Sequence, residues 1–443
     1  MNRFDGFRVF KHTRRYLTTV FQIALPSPFF TFLPVKSLLT FLLAGSCLLS
    51  QLSAAQVKLG NEVLAESQFK VLKGKRIGLI TNPSGVNRQL ESTIEVLRRA
   101  PGVQLVALFG PEHGIYGDVP AGDKIQSRTD ARTGLPVHSL YGATRKPTPV
   151  MLEGLDALVY DLQDTGCRSY TYISTMGEAM EASGEKGIEF VVLDRPNPLG
   201  GVRIEGPLVE EKFRSFVSRW DVPYVYGMTC GELAQMINGE GWIKKTCRLT
   251  VVPLQGWKRT MVWRDTGLPW VPTSPHVPHG ESPLFQVATG MIGEIGGASI
   301  GIGYTLPFQC VAAPGIDPHA LAKTLNACEL QGVRFQPVTY KPYYATFKDQ
   351  VIGGVQLYFT DPAQAPLTAI NFHALEALKQ QAGLDVFAEA AKTNKSFAMF
   401  DKVNGTDATR KALQAGKAAA DIVAEWKPVE KAFLEKRKKY LLY

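Results

Sequence analysis

The sharpest candidate for chemistry is the run Phe109-Gly110-Pro111-Glu112-His113-Gly114. Its proline and glycines dictate a tight backbone path directly after an apolar stretch. A glutamate held on such a rigid loop end is partly desolvated, which raises its pKa toward the range of a general acid. Glu112 is therefore the first candidate acid, and its competing role is to pair an arginine or cap a helix. His113 either serves as an acid/base group or donates a hydrogen bond to substrate, or it is a satisfied structural histidine.

A second dense run is Tyr160-Asp161-Leu162-Gln163-Asp164-Thr165-Gly166-Cys167-Arg168-Ser169-Tyr170-Thr171-Tyr172. Asp161 and Asp164 each have the chemistry for the second carboxylate of a glycosidase pair. Asp161 at a strand end can equally cap a helix or orient a loop. Tyr170 and Tyr172 suit stacking on a sugar ring or burial in a core. The third run, Leu193-Asp194-Arg195-Pro196-Asn197-Pro198-Leu199-Gly200-Gly201, is stiffened by two prolines. Arg195 suits a carboxylate and Asn197 a sugar hydroxyl or acetamido group, presented with little entropy left to lose. The alternative is an internal Asp194–Arg195 scaffold.

Other chemistries fail on spacing. There is no His-Glu-x-x-His helix, and the seven histidines are scattered, so no metal site is expected. The glycine-rich Gly296 to Gly303 stretch lacks the preceding strand of a dinucleotide loop and the lysine of a P-loop, so no cofactor is expected.

These clusters need elements to hold them at one place. Apolar runs at 76–81, 103–109, 155–160, 188–193 and 248–253 read as buried strands, with helical patterns at 91–99, 174–186 and 231–238 between them. Such alternation predicts an α/β fold with a mostly parallel sheet covered on both faces. Ligands then sit at the carboxyl ends of the strands. Asn82, Glu112-His113, Asp161 to Arg168 and Asp194 to Asn197 all fall at such ends. The proline-rich 270–278 and glycine-rich 290–303 stretches mark either a domain junction or a loop bordering the site. Helical patterns at 317–328, 367–383 and 406–425 and a strand at 351–359 predict a second, smaller α+β domain.

The chain has 443 residues and a formal charge of +9. Residues 1–55 carry six basic residues against Asp5, so the surplus without them is only +4. That is too small to argue for nucleic acid. Residues 1–55 read as a removable signal peptide: a basic stretch, the apolar 38–45 run, and small residues ending at Ala55. A lipoprotein anchor at Cys47 fits less well, because Ala44 stands where a leucine is expected. The expected location is the periplasm or the exterior, with no stable membrane insertion after cleavage. Five cysteines follow residue 55, at spacings that match no zinc template. They read as buried apolar groups.

Four motifs together resemble the bacterial exo-β-N-acetylmuramidases of the NamZ family, glycoside hydrolase family 171, formerly a domain of unknown function. They are the 109–114 run, Asp-Leu-Gln-Asp-Thr-Gly-Cys-Arg at 161–168, the 193–201 run, and Tyr-Gly-Met-Thr-x-Gly-Glu-Leu at 226–233. The resemblance runs over nearly the whole chain after residue 55. It implies a Rossmann-like domain with a smaller C-terminal domain, a site in the cleft between them, and Glu112 as the catalytic residue. It implies hydrolysis of a non-reducing terminal β-linked N-acetylmuramic acid. One departure stands out at 293–304. Glu294, Ser299, Gly301 and Gly303 are kept, but Ile300 replaces a glutamate, and Ile302 and Leu306 replace arginines. Losing two cations beside the cleft should weaken contact with the lactyl carboxylate of muramic acid.

The reading is thus a signal peptide at 1–55, a Rossmann-like catalytic domain at 56–285 and an auxiliary α+β domain at 286–443. Glu112 donates the proton and Asp164 is the second carboxylate. His113, Asp161, Arg168, Tyr172, Arg195, Asn197 and Glu294 hold a peptidoglycan-derived sugar or muropeptide. The rival reading is a non-catalytic periplasmic binder of the same ligands.

Overall fold

In the computed structural model, residues 56–392 and 397–443 are described. The expected signal peptide falls outside them. The first half alternates strand and helix: α1 (Gly60–Glu66), β1 (Arg76–Thr81), α2 (Thr93–Arg98), β2 (Gln104–Gly110), β3 (Arg128–Thr129), β4 (Pro136–Ser139), β5 (Ala157–Asp161), α3 (Tyr172–Lys186), β6 (Glu189–Leu193), α4 (Cys230–Gly239) and β7 (Arg248–Val252). These strands form one seven-stranded sheet in the order β3-β4-β2-β1-β5-β6-β7. All neighbours are parallel except β3 and β4. β5 is buried at every position, as expected of a strand covered on both faces.

Local chemistry fixes the helices. Thr229 caps α4 by accepting from the Glu232 amide, while Glu232 returns the bond to the Thr229 amide. Gly187 ends α3 in the left-handed conformation. Inside α3, Gly177 leaves room for the Trp220 ring, since a β-carbon there would lie 1.9 Å from that ring. Because β1 lies between β2 and β5, the sheet reverses its winding there, and the loops after β1, β2 and β5 open at one edge.

The second half is built on α5 (Ser282–Gly293) and a three-stranded antiparallel sheet of β8 (Cys310–Ala313), β9 (Val333–Tyr340) and β10 (Ile352–Phe359), in the order β8-β10-β9. α6 (Pro318–Ala327) packs on it, and α7 (Leu367–Ala382) packs on α5 and α6. Shorter helices follow: α8 (Val386–Lys392), α9 (Ala398–Asn404), α10 (Ala408–Gln414), α11 (Ala419–Ala424) and α12 (Lys427–Arg437). The α/β class with a second, smaller sheet is as the sequence predicted. The halves share a core, in which Cys167, Leu199, Tyr224 and Val225 join Val287, Met291, Val355 and Phe372. Residues 55–443 form one compact unit.

The sequence reading did not give β3, β4, β8 or β9, and the 406–425 pattern breaks into two helices. The cysteines at 167, 230, 247 and 310 are buried and unbridged as read, whereas Cys328 is exposed.

Candidate active site

Glu112 follows β2 by two residues. His113 (φ 69°) and Gly114 (φ 75°) both turn through the left-handed region. For histidine that costs roughly 1 kcal/mol, strain of the kind stored at functional sites. His113 Nδ1 donates to the Val119 carbonyl at 2.8 Å, which folds the 115–122 loop back over the turn. The loop returns the Gly122 amide to Glu112 Oε1 at 3.1 Å, while the Thr171 hydroxyl donates to Oε2 at 2.7 Å. Glu112 is thus buried with each oxygen accepting one bond.

Beside it lies a cavity of about 330 Å³, lined by Ala121, Ser169 and His276 from the first half and by Glu294, Ser299, Ile300 and Ile302 from the second. That is the lower end of ligand-pocket sizes. Glu294 caps the end of α5. Its surface is reached by water through the cavity, yet protein surrounds it on most sides. This crowding, followed by the charge of Glu112, pushes its pKa up to about 7. The proline-rich and glycine-rich stretches therefore border the site. Thr273 bonds the Gln163 carbonyl and accepts from Tyr172 and Asn82, tying that stretch to the strand-end loops.

Of the predicted residues, Glu294 lines the cavity; Glu112 and His113 do not, but the charge of Glu112 reaches Glu294. Asp164 does not line it. Its Oδ1 accepts from the Gly166 amide and the Tyr226 hydroxyl, at 2.7 and 2.8 Å. Its Oδ2 has no partner, and burial pushes its pKa up to about 7.

Five expected substrate-binding residues are instead committed to the protein, and their roles are corrected here. Arg168 is fully buried, and donates to the Ser218 hydroxyl and to the carbonyls of Pro207, Val222, Val403 and Asn404. Arg195 grips Asp161 through two bonds, at 2.5 and 3.1 Å, and Asp161 also accepts from Thr93. Asn197 donates to the Met228 carbonyl and accepts from the Leu199 amide. It packs against Gly166 (φ 77°), where a β-carbon would lie 2.2 Å from its Oδ1. Tyr172 is buried, with its hydroxyl on Thr273 and on the Glu112 carbonyl. The Asp194–Arg195 scaffold alternative was close: Asp194 accepts from Thr229, Gly231 and Tyr443, while Arg195 pairs one strand over.

Sequence reasoning did not find Thr171, Tyr141 or His276. Thr171 sat inside a flagged run, and its hydroxyl was a visible donor beside two tyrosines. Among the described residues no cluster of three or more His, Cys, Asp or Glu side chains is placed to hold a metal, and no helix is long and apolar enough to cross a membrane. A larger cavity of about 490 Å³ lies elsewhere, where Arg203 and Arg259 are neutralised by Glu205 and Glu232.

Residues 77–281 match the model of the N-terminal part of exo-beta-N-acetylmuramidase NamZ, and residues 287–443 that of its C-terminal part. The chain is 43% identical over 388 residues to the peptidoglycan beta-N-acetylmuramidase NamZ of Bacillus subtilis (strain 168), covering 88% of this chain and 92% of that protein. Crystal structures of two DUF1343 family proteins from Bacteroides fragilis NCTC 9343 superpose with TM-scores of 0.81 and 0.66, at 48% and 29% identity, each covering 88% of this chain and 99% of the other. The chain belongs to the exo-β-N-acetylmuramidase NamZ family.

Proposed function

We propose that this protein is an exo-acting glycosidase that releases terminal β-linked N-acetylmuramic acid from peptidoglycan fragments. Its relationship to a named peptidoglycan β-N-acetylmuramidase over most of both chains supports the activity. One observation supports the location of the chemistry: Glu112 and Glu294, from opposite halves of the fold, stand close enough that the charge of one opposes ionisation of the other.

A glycosidase needs a proton for the leaving oxygen and a carboxylate for the cationic sugar or its attacking water. With its pKa raised to about 7, Glu294 brings the proton. Glu112, with a donor on each oxygen, stays an acceptor facing the anomeric carbon or the water. Glu294 thus takes the donor role first given to Glu112, and Glu112 takes that of the second carboxylate, first given to Asp164. The C–O bond breaks as the Glu294 proton moves to the leaving oxygen. Water then supplies the hydroxyl at the anomeric carbon, and its proton restores the pair.

The signal-like pattern of residues 1–55 supports action outside the cytoplasm, in the periplasm or beyond. N-terminal sequencing of the exported protein tests that cleavage. The activity is tested by incubating the purified protein with a panel of muropeptides and weighing the products. Release of free N-acetylmuramic acid is expected. Calorimetric binding with no product would instead mark a sugar-binding protein.

A further inference from the structure

Glu294 lines the cavity with the charge of Glu112 close by, and no lysine or arginine lines it among the described residues. A muramic acid residue brings a third carboxylate, on its lactyl group, so a cation must be supplied from beside the cavity. Nearly every arginine in the vicinity is already engaged. Arg168 is spent on backbone carbonyls, Arg195 on Asp161, Arg214 on Glu211 and Arg219 on Glu178.

Arg145 is different. It is exposed and has no carboxylate partner among the described residues. Its guanidinium lies over two aromatic rings, 4.3 Å from the centre of Phe216 and 5.1 Å from that of Tyr141. Those rings are themselves 6.0 Å apart. Stacking of this kind holds a planar cation in place while leaving its N–H edge free. The loop bearing it is stapled down, since Thr144 bonds the Lys146 carbonyl and Lys146 reaches Glu181 and Glu185 on α3.

The position joins Arg145 to the site. The Tyr141 hydroxyl interacts with both the Glu112 carboxylate and the Arg145 guanidinium. Phe216 is followed in the chain by Val217, which lines the cavity wall. Arg145, Phe216 and Trp242 wall an open groove of about 520 Å³, whose lining also includes the arginine-paired Glu178 and Glu211.

We infer that Arg145, held between Tyr141 and Phe216, binds the lactyl carboxylate of the terminal sugar and selects muramic acid over an N-acetylhexosamine without that group. The inference rests on the activity proposed above. It supplies from the first half of the fold the cation that Ile302 and Leu306 do not provide.

The test compares Arg145→Met and Arg145→Lys with the wild type on three chromogenic β-glycosides: the N-acetylmuramide, its lactyl methyl amide, and the N-acetylglucosaminide. In Arg145→Met the ratio of kcat/KM for the muramide to that for the glucosaminide falls about 10- to 100-fold, the size of a charge-assisted bond, and the loss appears in KM. Arg145→Lys restores part of it, and the lactyl amide is insensitive to either change. A muramide preference that survives Arg145→Met overturns the inference and leaves the activity standing. If the wild type cleaves none of the three, the proposed activity fails instead. Calorimetry with free N-acetylmuramic acid then still decides the contact: weaker binding to Arg145→Met supports it, and equal affinity overturns it.

Discussion

The carboxyl group of Glu294, at the end of α5, has its pKa pushed up to about 7 by burial and then by the nearby charge of Glu112. The two carboxyl groups are distinguished by what surrounds them. Glu112 is buried with a hydrogen-bond donor on each oxygen. Glu294 faces the cavity under the protein's crowding and its neighbour's field. Separating two like groups in this way lets one site hold an acid and a base together.

Glu112→Gln keeps the shape of the side chain and removes its charge. Loss of the charged partner should lower kcat/KM for muramide hydrolysis by about 10²- to 10⁴-fold, the usual contribution of a positioned acid/base group. The melting temperature should move little, because the Thr171 and Gly122 donors can still meet the amide oxygen or water. Initial rates and thermal unfolding of the variant measure both. Unchanged turnover would remove Glu112 from the chemistry.

Glu294→Gln separates the roles by leaving group. A poor leaving group, such as the next sugar, needs the proton, whereas an activated aryloxide does not. The variant should therefore lose at least about 10²-fold on a natural disaccharide and far less on a dinitrophenyl muramide. An equal loss on both would deny Glu294 the donor role.

The same assignment fixes a pH dependence. Glu294 is protonated below about pH 7 and ionised above it. As the donor must carry its proton, kcat/KM on natural substrate should fall as pH rises through about 7. The sign for stability is the same. The folded pKa lies above the ordinary value of 4.5, so the folded state binds the extra proton between those limits and loses stability as pH rises across them. Glu294→Gln should flatten both trends. Rates on the natural disaccharide and denaturant midpoints at pH 5 and pH 8 check them. An alkaline limb on that substrate identical in wild type and variant would place its origin elsewhere.

The location of the site was legible from sequence more readily than its membership. Apolar strands ending in polar clusters placed Asn82, Glu112, Asp161 and Asp194 at one sheet edge, because strand order and chain direction follow from α/β patterning. What the pattern lacked was the partner of each polar group. Asp161 and Arg195 looked like ligands for sugar and carboxylate, but they satisfy each other across adjacent strands. Arg168 meets carbonyls of Val403 and Asn404, from the far end of the chain. Tyr141 and Arg145 went unnoticed because β4, the strand before them, has four residues and opens on a proline, too short for periodicity to show. Glu294 was visible only through resemblance, since nothing in its local sequence marks it as facing Glu112.

The Asp161–Arg195 pair should behave as structure. Both side chains are almost completely buried. Removing one partner, as in Arg195→Met, strands the other's charge and should cost about 3–5 kcal/mol. Combining it with Asp161→Leu should recover part of that loss, because no unpaired charge remains. Urea denaturation of the two single variants and the double variant measures the coupling. Additive losses would mean the pair does not work as a unit.

Arg168 offers the sharpest contrast between a scaffold residue and a ligand-binding one. Its side chain donates to four carbonyls and one hydroxyl drawn from three separated segments, and it joins the 161–168 run to the end of α9. Arg168→Met leaves those carbonyls buried without donors and should destabilise the fold by about 3–5 kcal/mol. A substrate-binding arginine would instead raise KM with little change in stability. The expected result is therefore a fall in melting temperature of many degrees, with KM for the muramide close to wild type well below the transition. A stable variant with a raised KM would return Arg168 to the substrate.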